Sequence, residues 1–434
     1  MKLKLSLIAL FALTTLEATS LKEAVQQGIN SDPEILSEVE RYKGKELSVS
    51  VAKSGYYPKI DLGAGIGWEE TDRENPNSVE TNTDYTRQEA SARLRQPIFE
   101  GFKTQSSVSI SQSDKEAVAY NLKALYDNKA LKIIQAYLNV LKTQEIIDLA
   151  KVNLKTHEDI LASIQQRYDQ GVSDKADLIQ IKGRVASAKS DLYSAKNNAE
   201  DARAYYIKAV GAEPQNLQEV SDDEIKVPLT LNEIEEASIK QHPTMSAALK
   251  NVDLYRSKRD SAGSDYYPQV YGDLLADYKN DADGIAGYQE DYQAMLRVQW
   301  NIFNGFKEKH EKEIAQKEVL SASQKAQDTK RQLLLETRLS WNAYSLLKDQ
   351  LEPLQEHVNY SKEAKSLYQE QYNVGRRSLI DLLNSQVEAF NAQKALISAQ
   401  YDEIAAKYRI LNSMGVLNES LGVVVKVKES KKKQ

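Results

Sequence analysis

Two glycines, Gly171 and Gly375, stand 204 residues apart, and the side chains best equipped for polar chemistry gather around them. Asp174 and Asp177 follow the first, while Tyr372, Arg377 and Asp381 flank the second. A guanidinium facing a carboxylate makes a strong, directional bond, so this set could latch neighbouring helices together. The competing use is local. Ser378-x-x-Asp381 has the spacing of a capping box, and acids in a first helical turn suit the helix dipole. Capping accounts for the acids but not for Arg377 or Tyr372. Catalysis finds little support elsewhere: His157, His242, His310 and His357 are scattered without ligand spacing, and each is expected to be solvated or at a helix cap. No metal or other cofactor is expected. Gly63, Gly65 and Gly67 alternate with apolar residues, and no glycine-rich loop leads into Lys-Ser or Lys-Thr, so no phosphate cradle is expected either.

These residues sit in a chain that is written twice. Ser54-Gly55-Tyr56-Tyr57-Pro58 returns as Ser264-Asp265-Tyr266-Tyr267-Pro268, and Asp32-Pro33 as His242-Pro243, both 210 residues on. Ile98-Phe99-Glu100-Gly101-Phe102-Lys103 returns as Ile302-Phe303-Asn304-Gly305-Phe306-Lys307 at an offset of 204, which Tyr168 and Tyr372, then Gly211 and Gly415, share. The first copy therefore carries six extra residues between its Tyr-Tyr-Pro and Ile-Phe landmarks, which puts a surface loop there. The implied division is a leader over 1–20, a first repeat over 21–221, a second over 229–421 and a Lys-rich tail over 422–434.

After Pro58, Ile60, Leu62, Ala64, Ile66 and Trp68 alternate with polar or small residues, and a similar pattern follows Pro268. Returning strands are read at Glu89–Arg95 and Tyr292–Trp300, with polar loops over 71–86 and 280–291. Each copy thus holds one hairpin within about 58–98 or 268–303, with strands of roughly ten residues, the length of outer-membrane barrel strands. Tyr56, Tyr57, Tyr266, Tyr267 and Trp300 would mark one membrane interface, and Trp68 and Tyr278 the other. A soluble sheet packed on helices would alternate in the same way. Four strands cannot close a barrel, so membrane strands would require several chains to share one.

The rest reads as helix. Tyr126, Ile133, Val140, Ile147, Leu154, Leu161 and Tyr168 recur every seven residues, with a second, interrupted row at Leu122, Ala136, Ala150 and Ile164. Helical hairpins are expected over about 102–211 and 306–415, turning at Gly171 and Gly375, with a kink or local break at Pro353. Charged residues are 28% of the chain, mean hydropathy is −0.57 and net charge is −6, a solvated helical bias with no basic footprint for nucleic acid. Lys2 and Lys4, the apolar run Leu5 to Leu13, and Ala18-Thr19-Ser20 read as an export signal cleaved after Ser20. There is no cysteine, hence no disulfide and no lipidated N-terminal cysteine.

With Leu21-Lys22-Glu23-Ala24, Asp32-Pro33, the Tyr-Tyr-Pro pairs, Gln96-Pro97-Ile98-Phe99 and Tyr372-Asn373-Val374-Gly375-Arg376-Arg377-Ser378-Leu379-Ile380-Asp381-Leu382-Leu383 in this order, the chain resembles the TolC family of outer-membrane channels. Trp68-Glu69, His157, Asp177-Leu178, Gly183-Arg184 and Tyr408-Arg409-Ile410-Leu411 look most like its type I secretion branch, which exports adhesins. The resemblance implies a mixed α and β fold, a long helical coiled-coil barrel plus four membrane strands per chain, closed as a homotrimer with twelve strands in outer-membrane lipid of a Gram-negative cell. It implies partnership with a periplasmic adaptor and an inner-membrane ABC or proton-driven transporter. Family channels close at the helical turns, and the matching positions here are Asp177, Tyr372, Arg377, Asp381 and Asn384, the last a neutral amide where an acid is common. Gly171, Val172, Gly375, Arg376 and Leu379, taken as exposed, would form the adaptor-docking surface. A passive export conduit, most like type I protein secretion, is the leading expectation. A multidrug efflux outlet and a pore-free coiled-coil structural protein are the alternatives.

Overall fold

The computed structural model describes residues 18–73, 81–221 and 225–424, so most of the leader, part of the first expected loop and nearly all of the Lys-rich tail lie outside the described residues. The elements run α1 (Leu21–Ser31), α2 (Pro33–Ser54), β1 (Lys59–Arg73), β2 (Thr81–Glu100), α3 (Lys103–Asp169), α4 (Lys175–Val210), α5 (Leu231–Gln241), α6 (Pro243–Ala262), β3 (Gln269–Ala282), β4 (Ile285–Gln299), α7 (Lys307–Asn373), α8 (Leu379–Met414) and α9 (Leu417–Ser420). The duplication is visible in their lengths: α3 and α7 each have 67 residues, α4 and α8 each 36. The chain divides into two compact units, one of residues 40–121 and 244–329, the other of the remainder.

The first of these holds one antiparallel sheet in the order β1-β2-β3-β4. Between the irregularities at Pro97/Phe99 and Asn280/Ala282, its register puts odd-numbered residues on one face and even-numbered residues on the other, because directly paired residues project to the same side. Ile60, Leu62, Ile66, Trp68, Leu274, Tyr278, Tyr292, Leu296 and Val298 all share the even face and are exposed. From Ile60 to Trp68 that band runs about 26 Å along the strand, as long a run as a tilted membrane strand needs to cross lipid. The odd face is polar. Asp273 lies there almost fully covered, gripped by Arg95 Nε at 2.8 Å and Arg297 Nε at 2.9 Å.

The strands are longer than their alternation suggested. β1 and β2 pair from Lys59↔Arg95 up to Arg73↔Thr81, and β3 and β4 close through a short turn at Asp283-Gly284, so the expected loops are largely strand. Polar residues end the apolar pattern there, but the backbone ladder does not need apolar side chains to continue. The six extra residues make the first hairpin the taller one. Against its odd face rests the turn of the second hairpin: Arg87 Nη1 reaches Asp283 at 2.9 Å and Glu69 at 2.7 Å, Arg87 Nη2 reaches Glu89 at 2.7 Å, and the Gly284 amide donates to Glu69 at 3.1 Å.

At the strand-to-helix corners, Gly101 and Phe102 both have positive φ (61° and 68°), as do Gly305 and Phe306 (60° and 66°). A left-handed Phe is strained, and its partners hold it: the Phe102 ring meets Phe99 and Tyr267 edge-on at 5.3 and 5.6 Å. Gly101 is also required by space, since a Cβ there would lie 2.2 Å from the Ser264 carbonyl oxygen. The expected interface aromatics keep polar tips occupied: Trp68 Nε1 donates to Asp84, and Trp300 Nε1 to the Tyr266 carbonyl at 3.2 Å. Tyr56, Tyr57, Tyr266 and Tyr267 are exposed at the opposite ends of the strands from Trp68.

In the other unit both heptad rows of α3 supply buried residues: Tyr126, Ile133 and Ile147 of the unbroken row are buried, and towards the turn the interrupted row takes over. Leu122, Ala136, Thr143, Ala150, His157 and Ile164 are all buried, whereas Leu154 is half-exposed and Tyr168 lies 37% exposed. His157 is thus not solvated. It is 1% exposed, its Nδ1 lies 2.9 Å from the Asn153 carbonyl, and polar neighbours on one row had hidden a core position. Pro353 brings no break, because α7 is assigned helical throughout.

His242 does sit at a cap, as the C-cap residue of α5, and there it is buried. The His242-Pro243 step packs on the left-handed C-cap Gly415, where an added Cβ would come 2.4 Å from Pro243 Cδ. Burial pushes the His242 imidazole down from 6.5 to about 4, partly offset by a hydrogen bond with the Asn412 backbone. A depressed folded-state pKa means that the unfolded chain takes up this proton first, so stability falls as pH drops from 6.5 towards 4. Replacing His242 by Gln should flatten that slope by about 3 kcal/mol in thermal or denaturant unfolding at pH 4 relative to pH 7. Parallel pH profiles for the two proteins would show instead that His242 stays solvated.

Candidate functional site

The two helical turns are built alike. In the first, Val172 N–H donates to the Arg167 carbonyl at 2.8 Å around Gly171 (φ 75°); in the second, Arg376 N–H donates to the Gln371 carbonyl at 2.8 Å around Gly375 (φ 77°). These bonds close the C-termini of α3 and α7, and the left-handed glycine is what permits them. Nothing lies within 4 Å of a Cβ at either position, so backbone conformation rather than crowding demands glycine. The following helices start on side-chain caps: Asp174 accepts from Asp177 N at 2.8 Å and Ser378 from Asp381 N at 3.2 Å. Asp177 and Asp381 therefore occupy first-turn positions, Asp177 also accepting from Ser173 Oγ at 3.1 Å.

Beneath the turns, Ile164 of α3, Leu178 and Ile181 of α4, and Leu379 and Leu383 of α8 form one buried cluster, and Tyr372 of α7 packs against it. All four helices meet here. Leu379, expected on an exposed docking surface, is 3% exposed: as the first residue of α8 it points into this cluster. Gly171, Val172, Gly375 and Arg376 are exposed.

Two arginines not expected among the site residues tie the first helical hairpin to the second, Arg184 having figured only in the Gly183-Arg184 likeness to the type I secretion branch. Arg167 Nη1 donates to Tyr372 Oη at 3.2 Å, with its guanidinium carbon 5.5 Å from the ring centre. Arg184 Nη2 donates to Asn384 Oδ1 at 2.7 Å. Burial pushes the Tyr372 hydroxyl above its usual range, so it stays a neutral phenol. Arg377 is held within its own hairpin: Nε donates to Gln371 Oε1 at 2.9 Å, the guanidinium stacks 4.2 Å from the Tyr368 ring centre, and Asp381 is 3.8 Å away. The structure thus brings Tyr372 and Asn384 into hairpin-to-hairpin contacts and leaves Asp381 and Arg377 as neighbours on one turn. Asn384, the departure from the family pattern, can accept from Arg184 as an amide without adding charge.

The sequence matches the outer membrane efflux protein family over residues 24–212 and 236–416, one segment for each repeat. The chain belongs to that family. Its members are outer-membrane channels of Gram-negative bacteria that extend into the periplasm, and they are not enzymes. Among relatives, the chain is 22% identical over 433 residues to the outer membrane protein TolC of Vibrio cholerae, covering 96% of this chain and 97% of that one. It is 26% identical over 178 residues to the outer membrane efflux protein BepC of Brucella suis, an alignment spanning 41% of this chain and 37% of BepC. It is 17% identical to the alkaline protease secretion protein AprF of Pseudomonas aeruginosa, over 93% of this chain and 86% of AprF. Its fold matches that of the Campylobacter jejuni CmeC outer membrane channel with a TM-score of 0.79 at 16% identity, covering 92% and 86% of the two chains.

In this efflux-family chain the ties between the helical hairpins next to the turns are charged-to-neutral hydrogen bonds, while farther along Lys142 Nζ of α3 pairs with Asp402 of α8 at 3.0 Å. The Arg184–Asn384 pair should show a coupling of roughly 0.5–1.5 kcal/mol in a double-mutant cycle with Arg184→Ala and Asn384→Ala, read by thermal unfolding. Additive effects would mean that the contact is incidental.

Proposed function

We propose that three copies of this chain form the outer-membrane exit duct of a tripartite export machine that releases protein by type I secretion, fed through a periplasmic adaptor from an inner-membrane transporter. The observation that carries the trimer is the sheet: it has an apolar even face with the run of a tilted membrane strand, and β1 and β4 are its two edges. Lipid offers no hydrogen bonds to an open edge, so edges must pair with other copies, and three sets of four strands give twelve. Protein as cargo is supported by the likeness to AprF, whose name assigns it to secretion of a protease. BepC, named an efflux protein, favours the second reading, an efflux outlet.

In this reading the helical turns are the periplasmic entrance. Closing it needs the second hairpin held against the first, and Arg167–Tyr372 with Arg184–Asn384 supply that hold inside one chain. Asp177 and Asp381 act as helix-start acids that also place negative charge at the mouth. Exposed Gly171, Val172, Gly375 and Arg376 offer the adaptor a blunt surface at the tips.

Purified protein in planar bilayers should form pores, and Arg167→Ala should raise single-channel conductance more than Arg377→Ala does. The reverse ranking would place the latch at Arg377, and a water-soluble monomer without pores would remove the channel reading. Cargo is tested separately in the native cell. Gene deletion should abolish release of a large secreted protein while leaving drug susceptibility unchanged; the opposite pattern would favour the small-molecule outlet.

A further inference from the structure

The residues around the expected leader cleavage point are built into the fold. Thr19 bridges to Leu217, its N–H donating to the Asn216 carbonyl at 3.0 Å and its carbonyl accepting from Gln218 N at 3.1 Å. The same carbonyl lies 2.8 Å from the hydroxyl of Tyr137, a side chain with no exposure. Ser20 is the N-cap of α1 in a complete capping box: Glu23 N donates to Ser20 Oγ at 3.3 Å, and Ser20 N donates to Glu23 Oε2 at 2.9 Å. Cleavage after Ser20 would discard all of this. It would also place an α-ammonium on Leu21, a buried residue in the positive first turn of a helix.

We propose that the leader is removed at the Ala18–Thr19 bond, so that the mature chain begins at Thr19. A leader-processing peptidase hydrolyses that amide with one water, leaving a carboxylate on Ala18 and an amine on Thr19. Ala18 supplies the small residue immediately before the cut, with Leu16 at the third position before it, where a cut after Ser20 would instead have Ala18. The new ammonium still donates to Asn216, both bonds to the Thr19 carbonyl survive, and the capping box is complete. Only the Gln218 Nε2 bond to the Ala18 carbonyl changes partner. N-terminal sequencing and intact mass of the protein from outer membranes should give Thr19 as the first residue. Ser20→Arg should still be processed during export, and Ala18→Arg should accumulate as precursor. A first residue of Leu21, any residue before Thr19, or a block by Ser20→Arg overturns the proposal. A chain that retains Met1 in every case would sink the export reading along with it.

A second inference rests on the barrel reading and on a different part of the molecule. The turn of the second hairpin lies on the polar face of the first, pinned by Arg87 through Asp283 and by Glu69 through the Gly284 amide. In a closed barrel the polar face lines the lumen, so the geometry points to a strap at the loop end of the wall that narrows the exit. Lys279 at 3.2 Å from Asp283 completes the anchor. In a background whose entrance is loosened by Arg184→Ala, Arg87→Gln should raise conductance further. Asp283→Asn, which leaves the Arg87–Glu69 pair intact, should do so to a smaller extent. Unchanged conductance in both variants, with normal trimer yield, removes the strap. Absence of pores in all of them, including the parent, removes the barrel instead.

Discussion

The constraint on which the rest depends is backbone hydrogen bonding where there is no water. A four-stranded sheet with an apolar face has two edges, each a row of amides and carbonyls whose only partners in lipid are other strands. Everything else follows from meeting that need with identical copies. Two hairpins per chain must be spaced by elements that repeat, hence the duplicated α3 and α7 of 67 residues and α4 and α8 of 36. Each hairpin's second strand must enter helix at a sharp corner, hence the paired left-handed Gly-Phe steps after β2 and β4.

Next to the turns, the hold between the helical hairpins is polar but light in charge. A phenol and an amide accept from Arg167 and Arg184, so neither contact buries a carboxylate, and neither loses its partner across ordinary pH. Below them the Ile164, Leu178, Ile181, Leu379 and Leu383 cluster supplies area-dependent, non-directional adhesion. Under the proposed function these turns are the periplasmic entrance, which would then have a firm apolar base and a few directional contacts at its rim that a docking partner could compete for.

Much of this was legible in the sequence because duplication makes weak signals repeat. The hairpins, the turn glycines and the caps at Asp174 and Ser378 each occur twice at constant offset, and the structure has them in place. What stayed hidden depends on contacts between distant segments. Arg167 and Arg184 look like any solvated helix charge until Tyr372 and Asn384 are brought beside them. Thr143 and His157, both buried, made their heptad row look more broken than it is, and the first-turn position of Leu379 gave no sign that it faces inward. Strand ends were misread because alternation reports which side chains meet lipid, whereas the ladder runs on past the lipid.

The register carries one further consequence. Lys59 pairs with Arg95 and Arg95 with Asp273, yet by repetition Lys59 corresponds to Gln269, so equivalent residues two strands apart are displaced by four positions. That is about 13 Å along the strand for about 10 Å across it, a tilt of roughly 50–55°. Twelve strands at that slant enclose a circumference of about 95 Å and a backbone diameter of about 30 Å. Side chains on the inner wall take up several ångströms on each side. A single helix, about 10–12 Å wide, has room in such a bore, whereas a folded domain of a hundred residues, with a radius of gyration near 13 Å, does not. Any polypeptide leaving by this route must therefore travel unfolded or as isolated helix and acquire its tertiary structure outside the cell.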